Sequence, residues 1–154
     1  MKYLEFTIKD YKGVKNTTLD LKGKIEPGIY TLVGLNESGK TTILDAIKHL
    51  RNGTDTSVIN ASSLIPRRKR SSFTGKVKVS AKLSFGDRDK INLEKAIITL
   101  PYKNISILSD EVVFTRFYHY IKSSYSGEEI FVDIKVWDRK KIQVKIQRNS
   151  FLSG

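Results

Sequence analysis

The chain has 154 residues, with 28 Lys and Arg against 16 Asp and Glu, which gives a formal net charge of +12. A chain of this length forms one domain, or one lobe of a larger one, and can bury a core. It contains no cysteine, which excludes a disulfide framework and a thiolate zinc site. The N-terminus does not read as a signal peptide, and no apolar run approaches the length of a membrane span. We therefore expect a cytoplasmic protein with no membrane partner.

The positive charge favours a polyanionic partner, most often nucleic acid. It is also compatible with a solubilising surface or with an acidic partner domain. The net charge alone does not distinguish a nucleic-acid partner from a solubilising surface or an acidic partner domain.

The chain begins with alternating apolar and polar residues at 3–9, which predicts a half-buried strand. A turn follows at residues 11–16, and a second short strand is predicted at residues 17–21. Residues 29–33, Ile-Tyr-Thr-Leu-Val, form a short apolar run that is typical of a buried strand.

Residues 34–41 fit the pattern G-x-x-x-x-G-K-T of a phosphate-binding loop. Gly34 and Gly39 let the backbone curl, so that successive N–H groups point inward at phosphate oxygens. The Lys40 side chain would reach the β- and γ-phosphates, and the Thr41 hydroxyl would bind Mg²⁺. The candidate nucleotide-binding residues are Gly34, Asn36, Glu37, Ser38, Gly39, Lys40, Thr41 and Thr42.

A helix is predicted directly after this loop, because Ile43, Leu44, Ile47 and Leu50 share one face. Gly53 follows the last periodic residue and is typical of a helix end. His49 is expected on the polar side of this helix.

The segment 54–75 is predicted to be a polar surface loop. It contains four consecutive cations, Arg67, Arg68, Lys69 and Arg70. Four adjacent positive charges repel one another and favour solvent unless an anion joins them. The segment is therefore a candidate contact for the phosphate backbone of DNA or RNA. A mobile, solvated loop accounts for the pattern equally well, since no interleaved aromatic residues suggest base stacking.

The second half of the chain is rich in predicted strands. Alternation predicts a strand at residues 76–85 and a hairpin formed by 130–137 and 142–147. The segment 111–121 is β-rich but apolar on both faces, which indicates a well-covered strand. A short helix is expected from Asp87 to about residue 98. Together these elements predict an α/β fold with several antiparallel strands that expose one face to water.

The phosphate loop also carries a family resemblance. Asn36, Ser38 and the pair Thr41-Thr42 resemble the loop of ABC-type ATPases, and residues 30–47 resemble the SMC, RecF and OLD-like branch. The opening at residues 3–21 is similar to the first hairpin of that branch. One departure is Glu37, where Gly or Ala is commonest; its side chain is expected to face solvent.

This resemblance implies a P-loop NTPase lobe of ABC-ATPase type with an antiparallel β-subdomain, acting in DNA maintenance, repair or defence against foreign DNA. It implies that residues 12–16 lie beside the adenine ring and that Thr42 lies on the α-phosphate side. It also implies that residues 1–154 are a single N-terminal lobe of a longer protein. A C-terminal half would then supply the carboxylate pair, and two heads would dimerise around ATP.

No catalytic residue is assigned. Hydrolysis needs a second carboxylate beside Mg²⁺, for which the sequence offers two candidate segments, Asp110-Glu111 and Asp133. Their patterns favour a turn and a solvent-facing position, respectively. We therefore expect this chain to bind ATP without efficient hydrolysis. Two alternatives are another P-loop kinase or GTPase and a non-enzymatic nucleic-acid-binding module.

Overall fold

The computed structural model describes residues 1–23, 30–35, 39–53, 61–98, 107–136 and 141–146. The strands are β1 (Lys2–Tyr11), β2 (Val14–Asp20), β3 (Gly75–Ser84), β4 (Ile107–Ile121), β5 (Ser124–Val136) and β6 (Lys141–Ile146). The helices are α1 (Lys40–Asn52) and α2 (Asp87–Ile98), with short 3₁₀ turns at Ala61–Leu64 and Arg67–Lys69. Neither α1 nor α2, the α-helices of the described part, has the length and apolar character needed to cross a membrane.

The six strands form one antiparallel sheet in the order β2-β1-β3-β4-β5-β6. Three of the neighbouring pairs are hairpins between consecutive strands. The β1–β2 turn uses Lys12 with φ 50°, and the β4–β5 turn uses Lys122 and Ser123 with φ 47° and 64°. Positive φ at the turn residues matches the twist that two-residue hairpin turns require.

Most of the predicted elements are confirmed. The first hairpin, the strand at 76–85, the β-rich segment at 111–121 and the β5–β6 hairpin are all present. Residues 137–140, which join β5 to β6, lie outside the described residues. Helix α1 ends as predicted: Gly53 has φ 75°, and its N–H donates to the carbonyl of His49.

The core lies on the face of the sheet that packs against α1. Ala46 and Leu50 of α1 join Ile8, Val79 and Tyr118 of the sheet in one buried cluster. The segment predicted to be a polar loop contributes Leu64 and Ile65, which are also fully buried. Residues 61–75 are therefore part of the packed domain, a feature the sequence pattern did not indicate.

The buried strand predicted at residues 29–33 is wrong for the described residues 30–33. They have no regular secondary structure, and the side chain of Val33 is 90% exposed. A strand is stable only when its backbone N–H and C=O groups find partners, and no described strand pairs with this segment. Residue 29 lies outside the described part of the chain.

Candidate nucleotide-binding site

The candidate site is built around the start of α1. Gly39 precedes the helix with φ 87° and ψ 8°, a left-handed conformation that favours glycine. Its carbonyl accepts the first helical hydrogen bond, from the N–H of Ile43 at 3.0 Å. The first turn of α1 contains no acidic residue. Its N–H groups and the positive end of the helix dipole therefore suit an anion.

Lys40 folds back over the loop that precedes it. Its Nζ donates to the carbonyl oxygens of Gly34 at 2.5 Å and Leu35 at 2.6 Å. These contacts tie the helix start to the beginning of the loop. In the motif that these residues match, the lysine side chain is expected to contact a phosphate.

The middle of the loop, Asn36, Glu37 and Ser38, lies outside the described residues. Thr41 is exposed and Thr42 is half-buried in the first turn of α1. The exposed hydroxyl of Thr41 has the chemistry of a Mg²⁺ ligand, since this cation prefers oxygen donors. Among the described residues, no group of three His, Cys, Asp or Glu side chains could hold a metal ion.

A second feature of the site is the contact between the β1–β2 turn and α1. The Nζ of Lys12 lies 2.7 Å from Oδ2 of Asp45, and the hydroxyl of Tyr11 lies 2.5 Å from Nδ1 of His49. The hydroxyl of Tyr118 in β4 donates to the carbonyl of His49 at 2.8 Å. The turn that the resemblance places beside the adenine is thus joined to the helix that follows the phosphate loop.

His49 is buried, with 6% of its surface exposed, so the expectation that it lies on the polar side of α1 is wrong. Burial lowers its pKa below the ordinary value, and the Lys12 cation lowers it further. Burial also raises the pKa of the Tyr11 hydroxyl, with a further contribution from the Asp45 carboxylate. At neutral pH the short Tyr11–His49 hydrogen bond therefore joins two uncharged groups.

The four cations of residues 67–70 are all exposed. The backbone around them is nevertheless anchored on two sides. The N–H of Arg67 donates to the carbonyl of Lys12, and the N–H of Ser123 donates to the carbonyl of Phe73. Lys69 contributes an ion pair at 3.8 Å to Asp10. The cations thus belong to a segment that is fixed to both hairpin turns at this end of the sheet.

The two acidic segments do not approach the phosphate loop. Ile107 to Glu111 belongs to β4, so the turn predicted there is wrong. Asp110 forms an ion pair with Lys90, and Glu111 forms one with Lys82. Glu111 is paired with Ser84 at the end of β3, so both carboxylates lie at the end of the sheet that is away from Lys12. Asp133 pairs with Val113, on the face opposite to α1. None of these carboxylates is placed to assist hydrolysis at Lys40.

Sequence reasoning missed the contacts of Lys12, Asp45 and His49. The only local signal was spacing: Asp45 and His49 are four residues apart and share one face of α1. Their partners lie more than thirty positions earlier in the chain. Contacts between residues so far apart in sequence arise because the fold brings the β1–β2 turn to α1, and no local sequence pattern identifies such partners.

Comparison with known proteins bears on the family and the fold of this chain. The profile of the AAA ATPase domain family matches residues 1–151. Among solved structures, an SMC ATPase studied for ATP-driven dimerization and DNA-stimulated activation has a similar fold. The TM-score is 0.57 and the identity 20%, over 90% of this chain and 74% of the other. No curated protein matches significantly.

These similarities agree with the resemblance carried by the phosphate loop and the first hairpin. The chain belongs to the AAA ATPase domain family and has the fold of an SMC-type ATPase head.

Proposed function

We propose that this chain is the ATP-binding lobe of an ABC-type ATPase that acts on DNA, in maintenance, repair or defence against foreign DNA. The observation that carries the proposal is the position of Lys40. Its Nζ donates hydrogen bonds to the carbonyl oxygens of Gly34 and Leu35. Gly39, in a left-handed conformation, directly precedes α1. A cation beside the first N–H groups of a helix is a combination that suits a phosphate, and this supports the proposal.

In this proposal each residue of the loop has a distinct task. The N–H groups of residues 36–39 line the phosphates, and Lys40 binds the β- and γ-phosphates. The Thr41 hydroxyl binds Mg²⁺, whose role is to neutralise charge that develops on the phosphates. Thr42 lies on the α-phosphate side. Gly34 allows the close approach of the loop backbone.

Efficient hydrolysis requires a carboxylate that none of the described residues brings to Lys40. We therefore propose that this chain binds ATP but turns it over slowly. A second head and a C-terminal half of the same protein would complete the site. The similarity to an SMC ATPase that dimerizes with ATP supports this part of the proposal.

The basic segment 67–70 supports the DNA part of the proposal. Arg67, Arg68 and Arg70 are exposed, and the fold brings Lys12 and Lys122 to the same end of the sheet through backbone contacts. Basic residues that are distant in sequence therefore lie at one end of the sheet. A basic end of the sheet suits the phosphate backbone of nucleic acid, which is bound mainly by electrostatic attraction.

The experiment compares Lys40→Ala with Lys48→Ala. Both residues lie on α1, but Lys48 is an exposed residue two turns beyond the loop. We expect Lys40→Ala to abolish binding of a fluorescent ATP analogue and Lys48→Ala to leave it close to wild type. Retained affinity in Lys40→Ala would overturn the proposal. Stronger binding of GTP than of ATP would instead favour a GTPase, and DNA binding that ignores ATP would favour a simple nucleic-acid module.

A further inference from the structure

The face of the sheet opposite α1 carries two aromatic side chains that the proposed nucleotide site does not use. Val79 and Tyr118, on the α1 side of the central strands, are fully buried. Residues that alternate with them point away from α1, and these include Phe117 of β4 and Phe131 of β5. Both rings are only half-buried, and they meet edge to face with centroids 5.7 Å apart. Within the described residues, α1 and Leu64 pack on the other face, so neither covers these rings.

Lysine side chains surround the Phe117 ring. The Nζ atoms of Lys76 and Lys78 lie 5.4 Å and 6.0 Å from its centroid, a distance at which a cation is attracted to an aromatic ring. The pairing register places Lys78 between Lys9 of β1 and Phe117 of β4. Two lysines are therefore directly opposite each other, an arrangement that destabilises a sheet. An anion bound beside them would remove this repulsion.

The positive charge of this group is only partly balanced. Oε2 of Glu129 lies 3.9 Å from Nζ of Lys76 and 2.8 Å from Nε2 of His119. Within the described sheet, neither Lys9 nor Lys78 has a carboxylate directly opposite on a neighbouring strand. Three lysines thus share one surface with a single paired glutamate among them. This imbalance favours a negatively charged partner.

The lysines lie near the end of the sheet that holds the basic segment 67–70. Lys9 is three residues before Lys12, which binds that segment through its backbone, and Lys76 is three residues after Phe73, which is bound to the β4–β5 turn. At about 3.3 Å per residue in a strand, each lysine is about 10 Å from its turn. A flexible polyanion bound at the basic segment can therefore continue onto this face.

We propose that the face of the sheet opposite α1 binds single-stranded nucleic acid. Its phosphates contact Lys9, Lys76 and Lys78, and its bases stack on Phe117 and Phe131. Aromatic side chains stack on bases that are unpaired and splayed out, so a single strand fits this face and a duplex does not. The inference rests on the proposed function, to which it adds the strandedness of the nucleic acid and a second contact surface.

The test measures the affinity of the 154-residue chain for a fluorescently labelled oligothymidine strand and for a duplex of equal length, at low salt and without ATP. Phe117→Leu and Phe131→Leu each keep an apolar side chain but remove a ring. We expect each to weaken single-strand binding about tenfold, through the loss of one stacked base, and to leave duplex binding close to wild type. Phe114→Leu is the matched control, because Phe114 is a half-buried ring of β4 on the α1 side. It should keep the wild-type single-strand affinity.

A lysine variant tests the phosphate contacts separately. Lys78→Gln removes one cation together with its repulsion towards Lys9. It should weaken single-strand binding and reduce the slope of log affinity against log salt by about 0.7. Lys48→Gln removes an exposed cation from α1 and should leave this slope unchanged. If the phenylalanine variants fail to fold, Lys78→Gln decides the question, and a wild-type slope in this variant overturns the inference.

The outcomes are distinguishable. A chain that binds neither single strand nor duplex overturns the DNA part of the proposed function and this inference with it. A chain that binds only the duplex leaves the proposed function intact and overturns the role of this face. Unchanged single-strand affinity in Phe117→Leu, Phe131→Leu and Lys78→Gln, as expected if the face binds another protein, does the same. A chain that binds no ATP but loses single-strand affinity in these variants overturns the ATP part of the proposed function and supports this inference.

Discussion

Two apolar regions of this molecule have opposite environments. Val79 lies in β3 between β1 and β4 and is fully buried, whereas Val33 lies before the phosphate loop and is 90% exposed. Leu64 and Leu35 show the same contrast, with 0% and 86% of their surfaces exposed. Burial in this chain therefore depends on a neighbouring strand or helix, and apolar character alone does not produce it. Where the described residues offer no neighbour, an apolar run stays at the surface.

The largest expected effect is on the free energy of unfolding, and it distinguishes the buried Leu64 from the exposed Leu35. Leu64→Ala removes a fully buried side chain and should lower the free energy of unfolding by about 2 to 5 kcal/mol. Leu35→Ala removes an exposed side chain and should change it by less than about 0.5 kcal/mol. Chemical denaturation of both variants measures the difference. Equal losses would show that residues 30–35 are packed in solution.

A smaller loss of stability is expected from a substitution at Gly39, the residue that precedes α1. Gly39 has φ 87°, and no atom of the described residues would obstruct an added Cβ, so the cost of Gly39→Ala comes from the backbone conformation. We expect a loss of about 1 to 2 kcal/mol of stability together with weaker ATP binding. Gly13 has equal space but no positive φ. Gly13→Ala should therefore leave the free energy of unfolding nearly unchanged, and a similar loss there would contradict the role of the Gly39 backbone.

The smallest effect is a pH dependence from His49. Its pKa is lowered in the folded state, so the unfolded state takes up the proton first as the pH falls below the ordinary value of 6.5. Stability should therefore be complete above that pH and decrease below it, by at most about 1.4 kcal/mol per pH unit for one proton. The measurement is the free energy of unfolding between about pH 7 and pH 5. His49→Asn should show a shallower slope; an identical slope would exclude this histidine as the source.

Much of the fold could be predicted because its signals are local. Alternation identified β1, β3 and β5, and the helical period with Gly53 identified α1 and its end. Hairpins join neighbours in sequence, so β1–β2 and β5–β6 followed directly. The strand at residues 29–33 failed because its existence depends on a partner that no local pattern reveals.

At the candidate site, the start of a helix directly after Gly39 could be predicted, while nucleotide binding there stays a prediction. Lys40 and Gly39 follow from a motif whose spacing reflects the shape of a phosphate. The buried positions of His49, Leu64 and Ile65 could not be predicted, because their neighbours come from β1, β4 and β5. The Lys12–Asp45 pair is of the same kind, since its residues lie 33 positions apart.

The most direct test of ATP binding at Lys40 is calorimetric titration of the 154-residue chain with Mg-ATP, alongside Lys40→Ala. We predict saturable binding to the wild-type chain that is lost in the variant. Absence of binding to the wild-type chain at about millimolar ATP, which corresponds to roughly −4 kcal/mol of binding free energy, would contradict the proposed nucleotide site.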